Sequence, residues 1–387
     1  MAPIGSLAAV SDLLLYGDTE RSAAMRHEVP ISIMDPFLVG IVDGRTHIMV
    51  SSLERDRVAR ARPDAALLDV TDLGFYELLR SGMSRSEVTL ELTSRAAGAI
   101  GVREAIVNPE MPVAVADRLR ADGISLRPDH AAVAARRRVK SPAEMEGILR
   151  AQVAAAAAIA AAAELLRRAV PDDGALAVDG EPLTAEAVRA AVRDACAARG
   201  APAPPDVIVA SVWQGFGHEA GSGPLPANLP ITVDVWPRDE RSGCWADMTR
   251  TFVVGEVTDP VRAQEALVRE ALERAREAAR PGVTGAELHG IACDVFEAAG
   301  HRTQRTGPGD DRTEGFQFSL GHGVGLEVHE DPALGQAGRE PLVAGDVIAI
   351  EPGLWERDIG GVRFEDLLVV TDDGSETLTD YPYDLAP

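Results

Sequence analysis

Five charged or titratable residues interrupt apolar, strand-like runs in the second half of the chain. They are Asp234 in ITVDVWP, Asp247 in CWADMTRTF, His322 in SLGHGVGLEVHE, Glu351 in VIAIEPG and Glu365 in VRFEDLLVV. Burying any one of them without a partner costs several kcal/mol, and singly each reads as an exposed strand position. Five together suggest a shared compensating charge. The four carboxylates carry a charge that two divalent cations neutralise. An oxygen-rich set with one imidazole suits hard to borderline ions: Mn²⁺ first, with Co²⁺, Fe²⁺ or Zn²⁺ as competitors.

The SLGHGVGLEVHE stretch holds a second histidine, His329, seven residues beyond His322. Glycines at 321, 323 and 325 argue against a helix, and apolar residues at 320, 324, 326 and 328 lean toward a strand. The glycines are expected to let backbone approach a substrate closely. A phosphate cradle is excluded, because Leu326 stands where G-x-G-x-x-G needs its third glycine.

The elements that must hold these residues fall into an α+β pattern with two domains, 1–136 and 137–387. The first reads as a smaller α/β domain. Its strand-like runs FLVGIV and RTHIMV flank Asp43-Gly44, a hairpin signal. A strand at 103–108 and a helix at 112–123 stopped by glycine follow. The second opens with Ser141-Pro142-Ala143-Glu144, a capping box with proline at the first helical position. It launches an alanine-rich helix to about residue 168, and a second helix covers roughly 183–198. Strand-like runs occupy 206–212, 231–236 and 246–254. Thr284-Gly285-Ala286-Glu287 is another capping box, and strands with glycine turns fill the last third. Helices packed on a largely antiparallel sheet are the expected architecture.

Composition narrows the classes. The 387 residues include 38 Lys+Arg against 61 Asp+Glu, a net charge of −23, which argues against nucleic-acid phosphates and anionic membranes as partners. Lysine occurs once, at 140, which reads as a signature of a GC-rich coding genome. Cys196, Cys244 and Cys293 are scattered and odd in number, indicating neither a disulfide framework nor a cysteine zinc site. The amino terminus lacks the basic region and clear cleavage site of a signal peptide. The apolar run at 153–163 is too short to span a bilayer. A cytoplasmic, reducing location is expected.

The ordered series Asp234, Asp247, His322, Glu351, Glu365, with the motifs DMTRTF, GHGVGLEVHE, IEPG and GGVRFED, resembles the metal ligands of the pita-bread metallopeptidases. The likeness covers the whole second domain, and the RRVKSPAEMEGILRAQ start with the preceding α/β domain is similar to the creatinase, aminopeptidase P and prolidase branch. The resemblance implies that Asp247 and Glu365 bridge two metal ions, that Asp234 chelates one, and that His322 with Glu351 binds the other. Such a pair of ions polarises a scissile carbonyl and lowers the pKa of a water. By the same resemblance Glu351 shuttles a proton, His218 and His329 contact the substrate carbonyl or the tetrahedral intermediate, and Arg363 orients groups beside the metals. Thr249 and Arg250 are expected to fix Asp247. Cys244 reads as a small strand residue, and His289 and His301 as surface residues.

The implied activity is hydrolysis of the Xaa-Pro bond of dipeptides or short peptides by a homodimer, with proline selectivity resting on the branch. Rival readings are a metal-free C–N hydrolase like creatinase, which predicts lost ligands, and a non-catalytic binding protein of the same fold. A hydrolase specialised for a non-peptide amide is the third.

Overall fold

The computed structural model describes residues 12–212 and 218–387. The signal-peptide reading falls largely on residues 1–11, outside the described residues, as does the 213–217 stretch just before His218. The chain forms two compact units, Met1–Arg137 and Arg138–Pro387.

In the first unit the Asp43-Gly44 turn follows from its residue types. Both residues take positive φ, 50° and 75°, so Phe37–Val42 and Arg45–Val50 pair as a tight antiparallel hairpin. It lies in a six-stranded sheet ordered Ala66–Asp69, Arg45–Val50, Phe37–Val42, Leu13–Gly17, Glu104–Val107, Ser125–Pro128. The pairings at both edges of this sheet are parallel. Helices including Arg85–Ile100 and Val113–Ala121 cover the sheet, with Leu14, Leu38, Ile48 and Leu119 at the core.

The second unit opens on a working capping box. Ser141 Oγ accepts from the Glu144 N–H at 3.2 Å, and the Glu144 carboxylate accepts from the Ser141 N–H at 2.8 Å. The helix it starts, Pro142–Arg168, is long and apolar enough by length and composition to cross a membrane. Here one face, with Ala155, Ala158, Ile159, Ala162 and Leu166, is buried in a core shared with Ala185–Ala197 and the strands behind it.

The sequence pattern suggests one antiparallel sheet in this unit; the strands divide into two main ones. Ile208–Ser211, Ile231–Val235 and Met248–Phe252 make a three-stranded antiparallel sheet. The other runs Glu330–Leu334, Gly321–Gly323, Val347–Ile350, Asp366–Val370, Ser375–Thr377. A hairpin of Gly353–Glu356 and Gly360–Arg363 lies between them in sequence. Thr251 stitches this hairpin to the first sheet: its hydroxyl accepts from the Arg363 N–H at 3.0 Å and donates to the Arg363 carbonyl at 2.9 Å. The Glu365 N–H then donates to the Thr249 carbonyl at 3.1 Å. Two bonds of the Thr251 hydroxyl and one backbone bond thus do the joining that a continuous ladder would do in one sheet. Helices Asp259–Ala278 and Gly285–Ala298 cover the second sheet, where Leu272, Phe296, Ile348 and Leu368 share a core.

The glycine-rich stretch is a short hairpin rather than one strand. Gly321–Gly323 and Glu330–Leu334 pair antiparallel, and 324–329 is the bend between them. A Cβ on Gly321 would collide with the Ala349 carbonyl, and one on Gly323 with the backbone of Glu330 and Asp331. These two glycines admit a neighbouring strand, which corrects the expectation that they admit substrate.

Candidate metal centre

The stitched seam between the two sheets brings the five residues together. Asp234 projects from Ile231–Val235 opposite Thr249 in register, and Asp247 immediately precedes Met248–Phe252. His322 is central in Gly321–Gly323, paired with Ala349, while Glu351 follows Val347–Ile350 with its N–H on the Leu320 carbonyl at 2.8 Å. Three groups of possible ligand atoms result, each within 4.8 Å: Asp234, Asp247 and Glu365; His322, Glu351 and Glu365; and Asp247, His322 and His329. Glu365 belongs to both the acidic group and the group containing Glu351, a bridging position. Membership of the third group makes His329 a further possible ligand in addition to its expected substrate role.

Charge is badly unbalanced here. Asp234, Asp247 and Glu365 are 8%, 5% and 1% exposed. Arg363, also buried, faces them: it pairs with Asp234 through Nη2, and its Nη1 lies 3.9 Å from Glu351. One guanidinium does not offset four carboxylates. Burial, and then the charges of neighbouring carboxylates, hold both Asp247 and Glu365 well above the ordinary carboxylate range. Burial pushes Glu351 up to about 7, with Arg363 opposing it and Asp234 adding to it. Asp234 Oδ1 and Glu365 Oε1 are buried with no hydrogen-bond partner.

The histidines are set for ligation. His322 Nδ1 lies 3.1 Å from the Gly323 carbonyl, so that nitrogen carries the proton and donates. Its Nε2 then presents a lone pair, 3.7 Å from Asp247 and 3.5 Å from Glu351. Burial, then the nearby His329, lower its pKa to about 3, so the ring stays neutral. The His329 ring centroid lies 4.2 Å from that of His322. His329 is held below its ordinary pKa by partial burial and then by the charge of His218, and both residues are exposed. Unsatisfied buried oxygens, an excess of negative charge and a deprotonated imidazole nitrogen together fit two divalent ions.

The supporting residues differ from expectation in detail. Thr249 donates to Glu365 Oε2 at 2.8 Å instead of fixing Asp247. Arg250, 1% exposed, donates from Nη1 to the carbonyls of Thr249 and Glu365 at 2.9 and 2.7 Å, so it too holds the Glu365 side of the site. His289 is buried, not a surface residue: it lies 3.4 Å from Cys293 Sγ and against Phe316. His301 is half-buried near Glu356. Cys244 lies in irregular chain just after a turn rather than in a strand, with its thiol pushed up to about 12 by burial, hence unreactive.

Sequence reasoning missed an aromatic wall. Trp355 faces Arg363, whose guanidinium lies 6.0 Å from the ring, and packs edge-on against Phe318. In a chain with only 4% aromatic residues, three within one turn or one hairpin of His322 and Glu351 (Phe316, Phe318 and Trp355) were the available signal.

Residues 146–372 match the model of metallopeptidase family M24. Over 134 residues the chain is 43% identical to an Xaa-Pro dipeptidase of Pyrococcus furiosus, an overlap covering 35% of each chain. The chain thus spans about a third of the length of the curated relatives it matches. Among solved structures, the prolidase of Pyrococcus horikoshii superposes with a TM-score of 0.75 at 24% identity, over 97% of this chain and 96% of that one. Dipeptidase PepE of Mycobacterium ulcerans superposes with a TM-score of 0.74 at 25% identity, over 97% and 92%. The fold is the α+β pita-bread fold of these proteins.

Proposed function

The chain belongs to metallopeptidase family M24, and from that premise we propose that it hydrolyses the Xaa-Pro bond of dipeptides or short peptides, as a prolidase or aminopeptidase P does. The observation that carries this reading is the buried excess of carboxylate at Asp234, Asp247, Glu351 and Glu365 around a neutral His322. Its similarity to Xaa-Pro dipeptidases of two Pyrococcus species supports the proline preference.

Asp234, Asp247, His322, Glu351 and Glu365 would hold two divalent ions, Mn²⁺ suiting the oxygen-rich set best and Co²⁺, Fe²⁺ or Zn²⁺ competing. When bound, the ions supply a polarised carbonyl and an activated water. The rest is the work of side chains. Glu351 accepts a proton from the attacking water and returns it to the leaving nitrogen as the C–N bond breaks. His329 and His218, on the rim, donate to the oxygen that gains charge at the carbonyl carbon, a contribution of about 3 to 4 kcal/mol. Arg363 holds Asp234 and approaches Glu351, fixing both carboxylates. The Trp355 and Phe318 wall offers the leaving residue an apolar surface.

A homodimer in the cytoplasm is the setting proposed for this activity. The test is amino-acid release from Ala-Pro and Ala-Pro-Ala by the Mn²⁺-loaded protein, with Asp247→Ala as blank. Release from the dipeptide alone assigns a prolidase, and release from the tripeptide an aminopeptidase P. Metal binding with neither peptide cut removes the proline assignment and leaves a non-peptide amide as substrate.

A further inference from the structure

Lysine appears once among the 38 basic residues of this chain, and the fold gives that one residue an uncommon position. The Lys140 side chain is 3% exposed and its ammonium pairs with the carboxylate of Glu330, itself 2% exposed. Lys140 stands one residue before the helix cap at Ser141, and two residues earlier Arg138 is anchored on Asp346 by contacts of 2.9 and 2.6 Å. The ammonium therefore projects from a fixed base.

Glu330 directly follows His329 and opens the strand after the 324–329 bend. Its second oxygen faces the Glu327 N–H at 3.3 Å. Within the bend the Gly325 N–H donates to the Glu327 carbonyl at 3.0 Å, and the Gly325 carbonyl accepts from the Trp245 N–H at 2.8 Å. The space is tight. A Cβ on Gly325 would lie 2.5 Å from Glu330 Oε1 and 2.8 Å from Lys140 Nζ. A compact ammonium fits there, whereas a planar guanidinium, with its two outer nitrogens, is too wide. This gives a physical reason for lysine at the one place where the chain does not use arginine.

We propose that Lys140 is a positioning residue: through Glu330 it clamps the 324–330 bend and so sets where His329 stands against His322 at the metal centre. The proposal deepens the hydrolytic reading of that site and rests on it for its effect on turnover, but not for its effect on the bend.

The experiment compares the full-length protein with Lys140→Met, Lys140→Arg and the double variant Lys140→Met/Glu330→Met. Two readouts are taken: amide hydrogen exchange of peptides covering 324–330 and 347–350 in metal-free protein, and kcat, KM and Mn²⁺ content on Ala-Pro. Lys140→Met and Lys140→Arg are expected to raise exchange in 324–330 at least tenfold while 347–350 stays protected. In both, kcat falls about 10- to 100-fold, the cost of a misplacement on the ångström scale, with KM and metal content unchanged. The double variant removes both members of the buried pair, so neither strands the other, and it keeps the low kcat and fast exchange. Unchanged exchange, full activity in Lys140→Arg, or recovery of both kcat and protection in the double variant would overturn the clamp. Should Lys140→Met fail to fold, the double variant and Lys140→Arg decide on the same criteria. If the parent protein cuts no proline peptide, exchange in 324–330 still decides the clamp, and only the substrate reading falls.

Discussion

Glu365 and Asp366 are neighbours in sequence, are each at most 1% exposed, and meet opposite surroundings. Asp366 accepts from Arg250 Nη2 at 3.0 Å, from Arg276 Nη1 at 3.2 Å and from the Tyr383 hydroxyl. Arg250 is in turn satisfied by the carbonyls of Thr249, Glu365, Tyr381 and Pro382, and its guanidinium lies 4.6 Å from the Tyr383 ring. Glu365 has the Thr249 hydroxyl on one oxygen, nothing on the other, and three more carboxylates nearby. Successive side chains of extended backbone point to opposite sides, so one step along the chain separates the two clusters. The Asp366 carboxylate is fully matched by the two guanidiniums and is architecture. The Glu365 cluster is left short of positive charge, and that shortage is what makes it a site.

The largest effect expected from this contrast is at Asp247. Asp247→Ala should release metal and bring hydrolysis to background with the fold intact, read by metal analysis and circular dichroism; retention of both ions at full rate would remove the dinuclear reading. Next is the architectural side. Asp366→Ala strands Arg250 in the interior and should cost about 3 to 5 kcal/mol of stability, read from the denaturant midpoint, while the folded, loaded fraction keeps its rate. His329→Ala should retain metal and lose about 10²- to 10³-fold in kcat; a change confined to metal content would make His329 a ligand instead, as its grouping with Asp247 and His322 allows. Thr249→Val removes a hydrogen bond that orients Glu365 and should weaken metal affinity about 10- to 100-fold, read by competition with a chelator.

The smallest effect is in pH. In the metal-free native protein, Asp247, Glu351 and Glu365 hold protons that the unfolded chain has already released, so each makes stability fall as pH rises. His322 and His329, with lowered pKa values, act in the opposite sense, but only below the unfolded value of 6.5. Between pH 6.5 and about 8, below the range in which the buried thiols of Cys196 and Cys244 add a fall of their own, the carboxylates act alone. The Tm of chelated protein should therefore fall across that window, through the value of about 7 for Glu351. Saturating Mn²⁺ should abolish the fall; a flat profile without metal would show that the carboxylates are not strained.

The same contrast explains what was legible in the sequence. Asp234, Asp247, His322, Glu351 and Glu365 stood out because each breaks an apolar run. The capping boxes at Ser141 and Thr284 and the Asp43-Gly44 turn were legible because their chemistry is local. Partnerships across the fold were not. Nothing in DMTRTF tells that Thr249 and Arg250 serve Glu365, more than a hundred residues on, rather than adjacent Asp247. Gly321 and Gly323 answer to strands that come later in the chain. His289 looked like a surface residue because its burial against Phe316 depends on packing between elements. Lys140 read as a compositional accident until its partner, 190 residues away, was in place.

The most direct test of the central claim is Mn²⁺ binding measured by equilibrium dialysis for the parent chain, Glu365→Gln and Asp366→Asn. The account predicts two ions per chain for the parent, loss of high-affinity binding in Glu365→Gln, and two ions still bound by the folded fraction of Asp366→Asn. Full binding by Glu365→Gln, or equal loss in both variants, would contradict the division between a carboxylate matched by guanidiniums and a cluster that requires metal.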